Sequence, residues 1–483
     1  MNFGDQEYTR KKENRKKFRV VLQLIILIAL ALVLIFALFT LRKYVPFQQR
    51  AEVPVNGDRG FVALSYFGVA RTGDQNLIAR DRLREHLQAM KASGYETITQ
   101  QDVIDYYEGH GELPEKALLL TFEDGRRDTA IFAQKILEDL NYKATILTYP
   151  EKFELKDNKF LMPRDLQDLQ GTSFWELGTN GYRLAFINVF DRYNNYLGEL
   201  TPLKHVMVAP YVGRKYNHYL MDYLRDENDF PKESYNMMQD RISYDYEKLR
   251  DVYTKELGFV PQAHILMHSN TGAFGNNREV SAVNEKWITE LFTMNFNREG
   301  FSWNNRQSII YDLTRMQPQS YWYANHVLMR VLHDQKQPVK FVRGRADESV
   351  KWKVLLGQPE FKNEKIVLTT EPTEKSTILL KLTPASANLH LVTHMTGNKA
   401  GTQSVYLRAD KDLARGICVQ LSGRFLFVKE NGKELFGMEL RLANPFTDEE
   451  PILYDSRLSG LEGLLYNIKE QWEKLLHFFV HIF

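Results

Sequence analysis

The chain has 483 residues, of which 43% are hydrophobic and 26% are charged, the composition of an ordinary globular protein. This length is enough for two or three domains. The formal net charge is only +2, so no nucleic-acid partner is expected. The single cysteine, Cys418, cannot form an intramolecular disulfide, and the fold must therefore be stabilised by its hydrophobic cores.

An apolar segment near the N-terminus, Val20–Leu41, has no charged residue. About 20 apolar residues in a helix cross the hydrocarbon core of a membrane, so the pattern predicts a transmembrane helix over residues 20–41. Two alternatives are a buried core helix and a cleaved signal peptide. The segment is longer than a typical signal peptide core, and no small-x-small cleavage site follows it.

Basic residues are concentrated before this segment, and only Arg42 and Lys43 follow it directly. The positive-inside rule then predicts a cytoplasmic tail over residues 1–19 and a single-pass protein of the cell membrane whose bulk is extracellular. The basic residues of the tail are Arg10, Lys11, Lys12, Arg15, Lys16, Lys17 and Arg19.

Residues 42–58 contain Pro, Gln and Gly without apolar periodicity and are predicted to form a linker. From residue 59 to about 345, short apolar runs such as FVALSYF, ALLLTF and KATILTY alternate with segments of helical periodicity. Repeated strand–helix units at this spacing are typical of an α/β fold with a parallel sheet or barrel. A polar stretch rich in Tyr and Asn, near 191–240, is predicted to be an insertion.

Residues 346–450 have a different pattern, in which apolar and polar residues alternate in short runs from EKIVLTT through NLHLVTHM to FGMELRL. This pattern predicts an antiparallel β-sandwich that resembles, loosely, carbohydrate-binding and lectin-like domains. Residues 451–483 are predicted to contain an amphipathic helix, which either packs on the body of the protein or lies on the membrane. Its apolar positions are Leu461, Leu464, Leu465, Ile468, Trp472, Leu475, Leu476 and Phe479.

The segment ALLLTFEDGRRD (117–128) carries the strongest chemical signal. An apolar strand leads directly to two carboxylates, Glu123 and Asp124, followed by Gly125. Parallel sheets and barrels place their sites at the carboxyl ends of strands, where such a pair can act as a base and a metal ligand. From spacing alone, a helix N-terminus with an acidic first turn is the favoured alternative.

Four segments resemble the NodB-homology polysaccharide deacetylases. GELPEKALLLTFEDGRRDTA is similar to the family's LPxKxvxLTFDDGxxD motif, and WELGTNGYRL resembles its EIGSHTxxH motif. HLQAMKASGYETITQQDVIDYY and KATILTYP resemble the segments before and after the first motif. The resemblance implies a distorted (β/α) barrel of NodB type over residues 59–345.

The resemblance also implies metal-assisted hydrolysis of a sugar acetamide, with a first Asp as base, a second Asp and two His as metal ligands, and a later His as acid. Glu123 stands at the base position and Asp124 at the metal position, but Asn180 and Leu184 replace the two His. Neither is a useful zinc ligand. We therefore expect no metal or other cofactor, unless Asp124 recruits zinc or another divalent metal with ligands outside the family's set.

His268, in HILMHSNTGAFGN (264–276), is the candidate general acid. That segment and APYVG (209–213) both resemble the family's third motif. If HILMHSNTGAFGN is the segment that corresponds to it, residues 191–240 are an insertion. His268 is thus a displaced acid, a groove residue or a structural histidine. His264 precedes it by four residues, about 13 Å along a strand, too far to share a metal.

The mouth of the barrel is expected to bind substrate through Arg126, Glu176, Asn180 and Tyr182. These features favour a pseudoenzyme that binds or modifies cell-surface polysaccharide, with membrane-bound polysaccharide assembly proteins as candidate partners. One alternative is an active N- or O-deacetylase with a rebuilt site. Another is a metal-independent glycoside hydrolase that uses Glu123 and Glu176, which requires carboxylates about 5–9 Å apart.

Overall fold

A computed structural model describes residues 3–40, 45–48, 59–74, 76–213, 216–269, 272–371, 374–381, 388, 390–396, 401–423 and 425–440. Helix α1 (Phe3–Thr40) forms a unit separate from the body of the protein. Within it, Asn14–Ile35 is long and apolar enough to cross a membrane, and none of that stretch is buried. It overlaps the predicted span 20–41. Most of the predicted linker and all of 451–483 lie outside the described residues.

The region 59–345 is a mixed α/β domain. Its strands are β1 (Phe61–Tyr66), β2 (Val69–Ala70), β3 (Ile78–Ala79), β4 (Glu96–Thr97), β5 (Ala117–Phe122), β6 (Ala144–Thr148), β7 (Trp175–Thr179), β8 (Phe186–Phe190), β9 (Tyr196–Leu200), β10 (Asn217–His218), β11 (Ala263–Ile265), β12 (Met294–Glu299), β13 (Trp303–Asn304) and β14 (Leu313–Arg315). Its helices are α2 (Arg80–Ala92), α3 (Gln100–Glu108), α4 (Arg127–Leu140), α5 (Glu151–Leu155), α6 (Pro163–Gly171), α7 (Pro202–Val208), α8 (Tyr235–Leu257), α9 (Arg278–Leu291) and α10 (Ala324–Gln335).

The main sheet has nine strands among the described residues, and seven parallel ones follow each other in the order β1-β5-β6-β7-β11-β12-β14. Strand β4 also pairs with β5 in parallel, and β13 pairs with β1 antiparallel. The sheet closes on itself just beyond β14, where Met316 accepts a hydrogen bond from the Ser65 amide and donates one to the Ala63 carbonyl. A parallel bridge between Leu64 and Met316 marks the same contact. The sheet is therefore a nearly closed barrel, and the predicted α/β barrel class is confirmed.

Helix α3 covers the amino ends of the barrel strands. It begins with a capping box, in which the Thr99 side chain accepts from the Asp102 amide and Asp102 accepts from the Thr99 amide. Val103 and Ile104 of this helix pack in one core with the inward-facing apolar residues of β1, β5, β11 and β12. The opposite, carboxyl ends of the strands are left to form the site.

Between β7 and β11, which are neighbours in the barrel, the chain leaves the sheet and returns. Strands β8, β9 and β10 form a separate antiparallel sheet in the order β10-β8-β9. The polar stretch 191–240 is thus an insertion relative to the barrel, as predicted, but it carries regular structure of its own. The segment HILMHSNTGAFGN begins within β11, the strand next to β7, and its alignment with the third motif stays a prediction.

After the short helix α11 (Ala346–Ser349), the described part of the chain forms only antiparallel sheets. The strands are β15 (Trp352–Leu356), β16 (Gln358–Lys362), β17 (Lys365–Thr369), β18 (Thr377–Leu380), β19 (Thr402–Leu407), β20 (Ile417–Ser422), β21 (Phe425–Glu430) and β22 (Lys433–Glu439). They pair as β15-β18, β16-β17 and β19-β20-β21-β22. NLHLVTHM is not a strand at its described residues 388 and 390–395, so that element was wrong. The antiparallel class is confirmed, and the lectin-like character of 346–450 stays a prediction.

Candidate functional site

Glu123 lies directly after β5 and is completely buried. Its Oε1 accepts three hydrogen bonds, from Ser65 Oγ at 2.7 Å, Arg315 Nε at 2.9 Å and Gln317 Nε2 at 3.0 Å. Its Oε2 is buried and has no hydrogen-bond partner in the described part of the chain. The sequence places these donors at the ends of β1 and β14, the two strands that meet where the barrel closes.

The protonation of Glu123 is set by two opposed effects. Burial raises its pKa, but the charge of Arg315 and the hydrogen bonds from Arg315, Ser65 and Gln317 lower it by more, so the net shift is downward. The carboxylate stays ionised and is held in one position. A general base works best with a pKa near the working pH and with reach to its substrate, and Glu123 has neither.

Asp124 is the accessible carboxylate of the pair. It is partly exposed and has a left-handed backbone with φ of 66°. Such strain in a non-glycine residue is often found at functional sites. Burial, followed by the negative charge of Glu123, raises its pKa to about 7, against the lowering effect of Arg126 and Lys152. This carboxyl group therefore changes charge close to neutral pH.

Gly125 allows the chain to turn between these carboxylates and α4. Its φ is 62°, and a Cβ atom there would lie 2.5 Å from Thr148 Cγ2 and 3.1 Å from the Leu147 carbonyl oxygen. Only glycine fits so close to β6, which explains the EDG order in the sequence.

Asn180 and Leu184, which the motif resemblance places at the positions of two metal-binding histidines, make other contacts in the structure. Asn180 is buried, its Oδ1 accepts from the Asp124 amide at 3.2 Å, and its Nδ2 lies 3.5 Å from Met267 Sδ. Leu184 packs against the apolar cluster of the insertion. One carboxylate, one engaged amide and one hydrocarbon side chain do not fit a divalent metal. The residues present thus do not match the metal site that the resemblance implies.

His268 lies on the loop after β11, exposed and with φ of 57°. Its ring contacts Phe186 and Tyr216 edge-on, at centroid distances of 5.5 and 5.7 Å. Partial desolvation of the ring lowers the pKa of His268, as does the charge of Arg315, while the charge of Glu123 raises it. His268 is therefore electrostatically coupled to the buried ion pair. His264, by contrast, is fully buried, bonded to Asn295 and stacked on Phe292.

The remaining predicted site residues separate into two groups. Arg126 follows the carboxylates and lowers the pKa of Asp124, and Tyr182 donates to Glu154 at 2.6 Å on the loop beyond β7. Glu176, however, accepts from the Gln100 amide at 3.0 Å, at the end of the barrel that α3 covers. The structure brings Glu123, Asp124, Asn180, Arg126 and His268 to one end and places Glu176 at the other.

Two residues of the site escaped the sequence analysis. Arg315 ends the three-residue strand β14, which is too short to show a periodic pattern. Tyr149 directly follows β6, and its side chain is buried beside Asp124, whose charge adds to burial in raising the pKa of the Tyr149 hydroxyl. The rule that sites lie at the carboxyl ends of parallel strands could have identified Tyr149.

No protein-family model and no curated protein sequence matches this chain. Several solved structures are similar to it. The Streptococcus pyogenes deacetylase PplD in complex with acetate has 13% identity and a TM-score of 0.39, covering 58% of this chain and 100% of that one. The BpsB deacetylase domain from Bordetella bronchiseptica has 16% identity and a TM-score of 0.41, and the match covers 55% of this chain and 98% of that one. IcaB from Ammonifex degensii has 15% identity and a TM-score of 0.40, and the match covers 58% of this chain and 98% of that one. The likeness concerns architecture alone.

Proposed function

We propose that this chain is a membrane-anchored, extracytoplasmic protein of deacetylase-like fold that binds cell-surface polysaccharide without the metal-dependent catalysis of the NodB family. The observation that carries the proposal is that Asn180 and Leu184, which stand where the motif resemblance implies two metal-binding histidines, have other contacts. Asn180 is committed to the Asp124 amide and Leu184 to an apolar cluster. Asp124 is then the one family metal ligand left, and one carboxylate does not hold zinc.

The groups that remain accessible at this end of the barrel suit a sugar. Asp124 and His268 offer polar atoms to hydroxyl and amide groups, and Tyr182 offers an aromatic ring at the rim. Binding sites for small polar ligands commonly combine a few such placed polar groups with aromatic side chains.

The anchor determines where such a protein acts. Asn14–Ile35 has the length and composition of a membrane span, and basic residues are concentrated before it. We infer a cytoplasmic N-terminus and an extracellular body, placed beside membrane-bound proteins that assemble polysaccharide. Protease treatment of intact cells that carry N- and C-terminal epitope tags tests the orientation. Loss of the C-terminal tag alone is expected, and loss of the N-terminal tag alone would reverse it.

Metal binding provides the first test of the catalytic part of the proposal. The full chain is purified in detergent, incubated with zinc, cobalt or manganese, dialysed and analysed for metal. We expect less than about 0.1 ion per chain, because the ligand set is absent. About one tightly held ion per chain, lost in Asp124→Ala, would overturn the metal-free proposal.

Glycan binding tests the other part. The probe is a fluorescent pentamer of β-1,4-linked N-acetylglucosamine, chosen because the motif resemblance implies an acetylated amino sugar. Asp124→Ala and Tyr182→Ala are each expected to weaken binding at least about 5-fold, the loss of one good polar or stacking contact of about 1 kcal/mol. The matched control is Glu115→Ala, because Glu115 precedes β5 at the opposite, amino end and is exposed. Equal binding by all variants would contradict a glycan site at the carboxyl end.

An active hydrolase is the second candidate, and one observation favours it. Asp124 has a pKa of about 7 and is partly exposed, as a general acid or base requires. Release of acetate from the acetylated pentamer, abolished in Asp124→Asn, would support this reading. No observation favours a glycosidase that pairs Glu123 with Glu176, since these two lie at opposite ends of the barrel.

A further inference from the structure

The four-stranded sheet β19-β20-β21-β22 has one apolar face. Residues directly opposite each other on paired strands project to the same side of a sheet. The registers Val405↔Val419 and Val419↔Val428 therefore place these three valines together. By the same registers the apolar residues of this face, called here the apolar sheet face, are Val405, Leu407, Ile417, Val419, Leu421, Leu426, Val428, Phe436 and Met438.

The other side of the sheet is mixed, with six polar residues and four aromatic or apolar ones, Tyr406, Cys418, Phe425 and Phe427. It carries Thr402, Ser404, Tyr406, Cys418, Gln420, Ser422, Phe425, Phe427, Lys429 and Glu439. Alternation of this kind is typical of an antiparallel sheet that has one face in a core and the other in water. The sequence of these strands therefore predicts a sheet that is covered on its apolar side.

The described part of the chain does not provide that cover. Phe436 is 51% exposed and Met438 is 43% exposed, and the other seven residues of the apolar sheet face are partly exposed. Cys418, on the mixed side, is the one residue of these four strands that is buried. A contiguous apolar surface built from nine side chains marks a binding site for another apolar surface.

The segment that follows β22 has the pattern to supply this surface. Its eight apolar positions between Leu461 and Phe479 recur at helical spacing, and Glu470 falls on the opposite side of that helix. A 19-residue helix is about 28 Å long, and strands of six or seven residues are about 20–23 Å long. The roughly 20 residues between β22 and Leu461 can span up to about 66 Å, well beyond the width of about 14 Å of a four-stranded sheet.

We propose that residues 461–479 pack as an amphipathic helix across the apolar sheet face of the same chain. The charges of the segment favour this occupant over a membrane surface. Glu462, Glu470 and Glu473 outnumber Lys469 and Lys474 among its charged residues, whereas helices that lie on membranes are rich in Lys and Arg. The covalent connection also favours it over a second copy, because a short tether gives an effective concentration of about millimolar.

Cross-linking of the full chain in lipid nanodiscs tests the proposal. In a Cys418→Ser background, Met438→Cys is combined with Leu465→Cys, and a bis-maleimide of about 10 Å is applied. Two matched controls each change one partner to the opposite face, Glu439→Cys with Leu465→Cys and Met438→Cys with Glu470→Cys. Intact mass and peptide mapping are expected to show at least 5-fold more intramolecular cross-link in the first pair than in either control.

Three results would overturn the proposal. Equal cross-linking in all three pairs would show that the segment does not sit on this face. A cross-link that joins chains of two different isotope labels would assign the face to a second copy. Protection of Leu465→Cys from maleimide only when lipid is present, without a cross-link, would assign the segment to the membrane.

A second measurement does not depend on engineered cysteines. Amide hydrogen exchange in β21 and β22 is compared between the wild-type chain and Leu465→Asp, with Gln471→Asp as the control near the edge of the apolar stripe. Exchange at least 10-fold faster in the first variant alone is expected, because loss of cover opens the sheet locally. Unchanged exchange in β21 and β22 would contradict the packing.

Discussion

Arg315 and Glu123 form a buried ion pair at the point where the barrel closes. Arg315 Nε donates to Glu123 Oε1 at 2.9 Å, and the two side chains are 3% and 0% exposed. Arg315 belongs to β14, the last strand of the barrel, and Glu123 follows β5, which pairs with the first. The ion pair therefore joins the first and last parts of the barrel as well as holding the carboxylate in place.

We expect Arg315→Met to lower the free energy of unfolding by about 3–5 kcal/mol, because it leaves a buried carboxylate without its counter-charge. The control is Arg84→Met, which breaks a pair with Asp139 in which both side chains are 30% exposed and should cost about 0–1 kcal/mol. Urea unfolding of the detergent-solubilised chain, followed by tryptophan fluorescence, measures both. Equal losses in the two variants would show that Glu123 does not depend on Arg315.

Gly125→Ala should destabilise the protein by about 2–4 kcal/mol, the sum of a left-handed backbone and a steric clash. The new Cβ would meet Thr148 Cγ2 at 2.5 Å. Gly109→Ala is the matched control, since Gly109 has φ of 80° with nothing within 4 Å, and it should cost only about 1 kcal/mol. Thr148→Ser removes the clashing methyl group, so the double variant Gly125→Ala, Thr148→Ser should recover part of the loss. No recovery would indicate that the backbone alone is at fault.

Much of this architecture follows from the sequence. The apolar runs FVALSYF, ALLLTF and KATILTY correspond to β1, β5 and β6, because parallel strands buried on both faces are continuously apolar. The closing strand β14 has three residues and ends in Arg315, so neither length nor composition marks it as a strand. The antiparallel sheet of the insertion was not predicted, since β10 has only two residues, both polar, and Gly198 interrupts the apolar pattern of β9.

The candidate site was predictable to the extent that it follows strand ends. Glu123, Asp124 and Asn180 come directly after β5 and β7, and the structure places them together. Glu176 shares a face of β7 with Asn180, but four residues along a strand separate them by about 13 Å. Helix α3 covers the end of the barrel at which Glu176 accepts from the Gln100 amide. This placement of α3 depends on tertiary packing and could not be predicted from the sequence.

Glu176 should make stability fall as the pH rises. Burial raises its pKa to about 7, against the lowering effects of the Gln100 amide and Lys143. The unfolded chain ionises this group near pH 4.3, so between about pH 4.3 and 7 only the unfolded state releases its proton and stability falls. Glu176→Gln keeps an acceptor for Gln100 and removes this effect. Its advantage over wild type should grow by about 2–3 kcal/mol between pH 4.5 and 8.

Urea unfolding at several pH values measures that difference, and Glu115→Gln serves as the exposed control. The difference between this exposed control and wild type is expected to change less with pH than that of Glu176→Gln. A difference between Glu176→Gln and wild type that does not change with pH would mean that the buried carboxyl group titrates as it does in the unfolded chain.

Restoring two histidines should restore a metal site. Asn180→His combined with Leu184→His supplies two imidazoles beside Asp124, the ligand set that the motif resemblance implies. We expect zinc affinity to rise at least about 100-fold over wild type in the double variant and little in either single variant. The Leu184→His change also removes apolar packing with the insertion, so the double variant without zinc should be about 1–2 kcal/mol less stable.

Equilibrium dialysis and thermal unfolding with and without zinc measure both effects. Zinc should raise the midpoint of the double variant alone, because a ligand stabilises only the chain that binds it. Asp124→Asn in the double background should abolish the gain. If zinc bound the wild-type chain as tightly as the double variant, Asn180 and Leu184 would not be what separates this site from a metal centre. If neither bound zinc, the correspondence of residues 180 and 184 with the two motif histidines would be wrong.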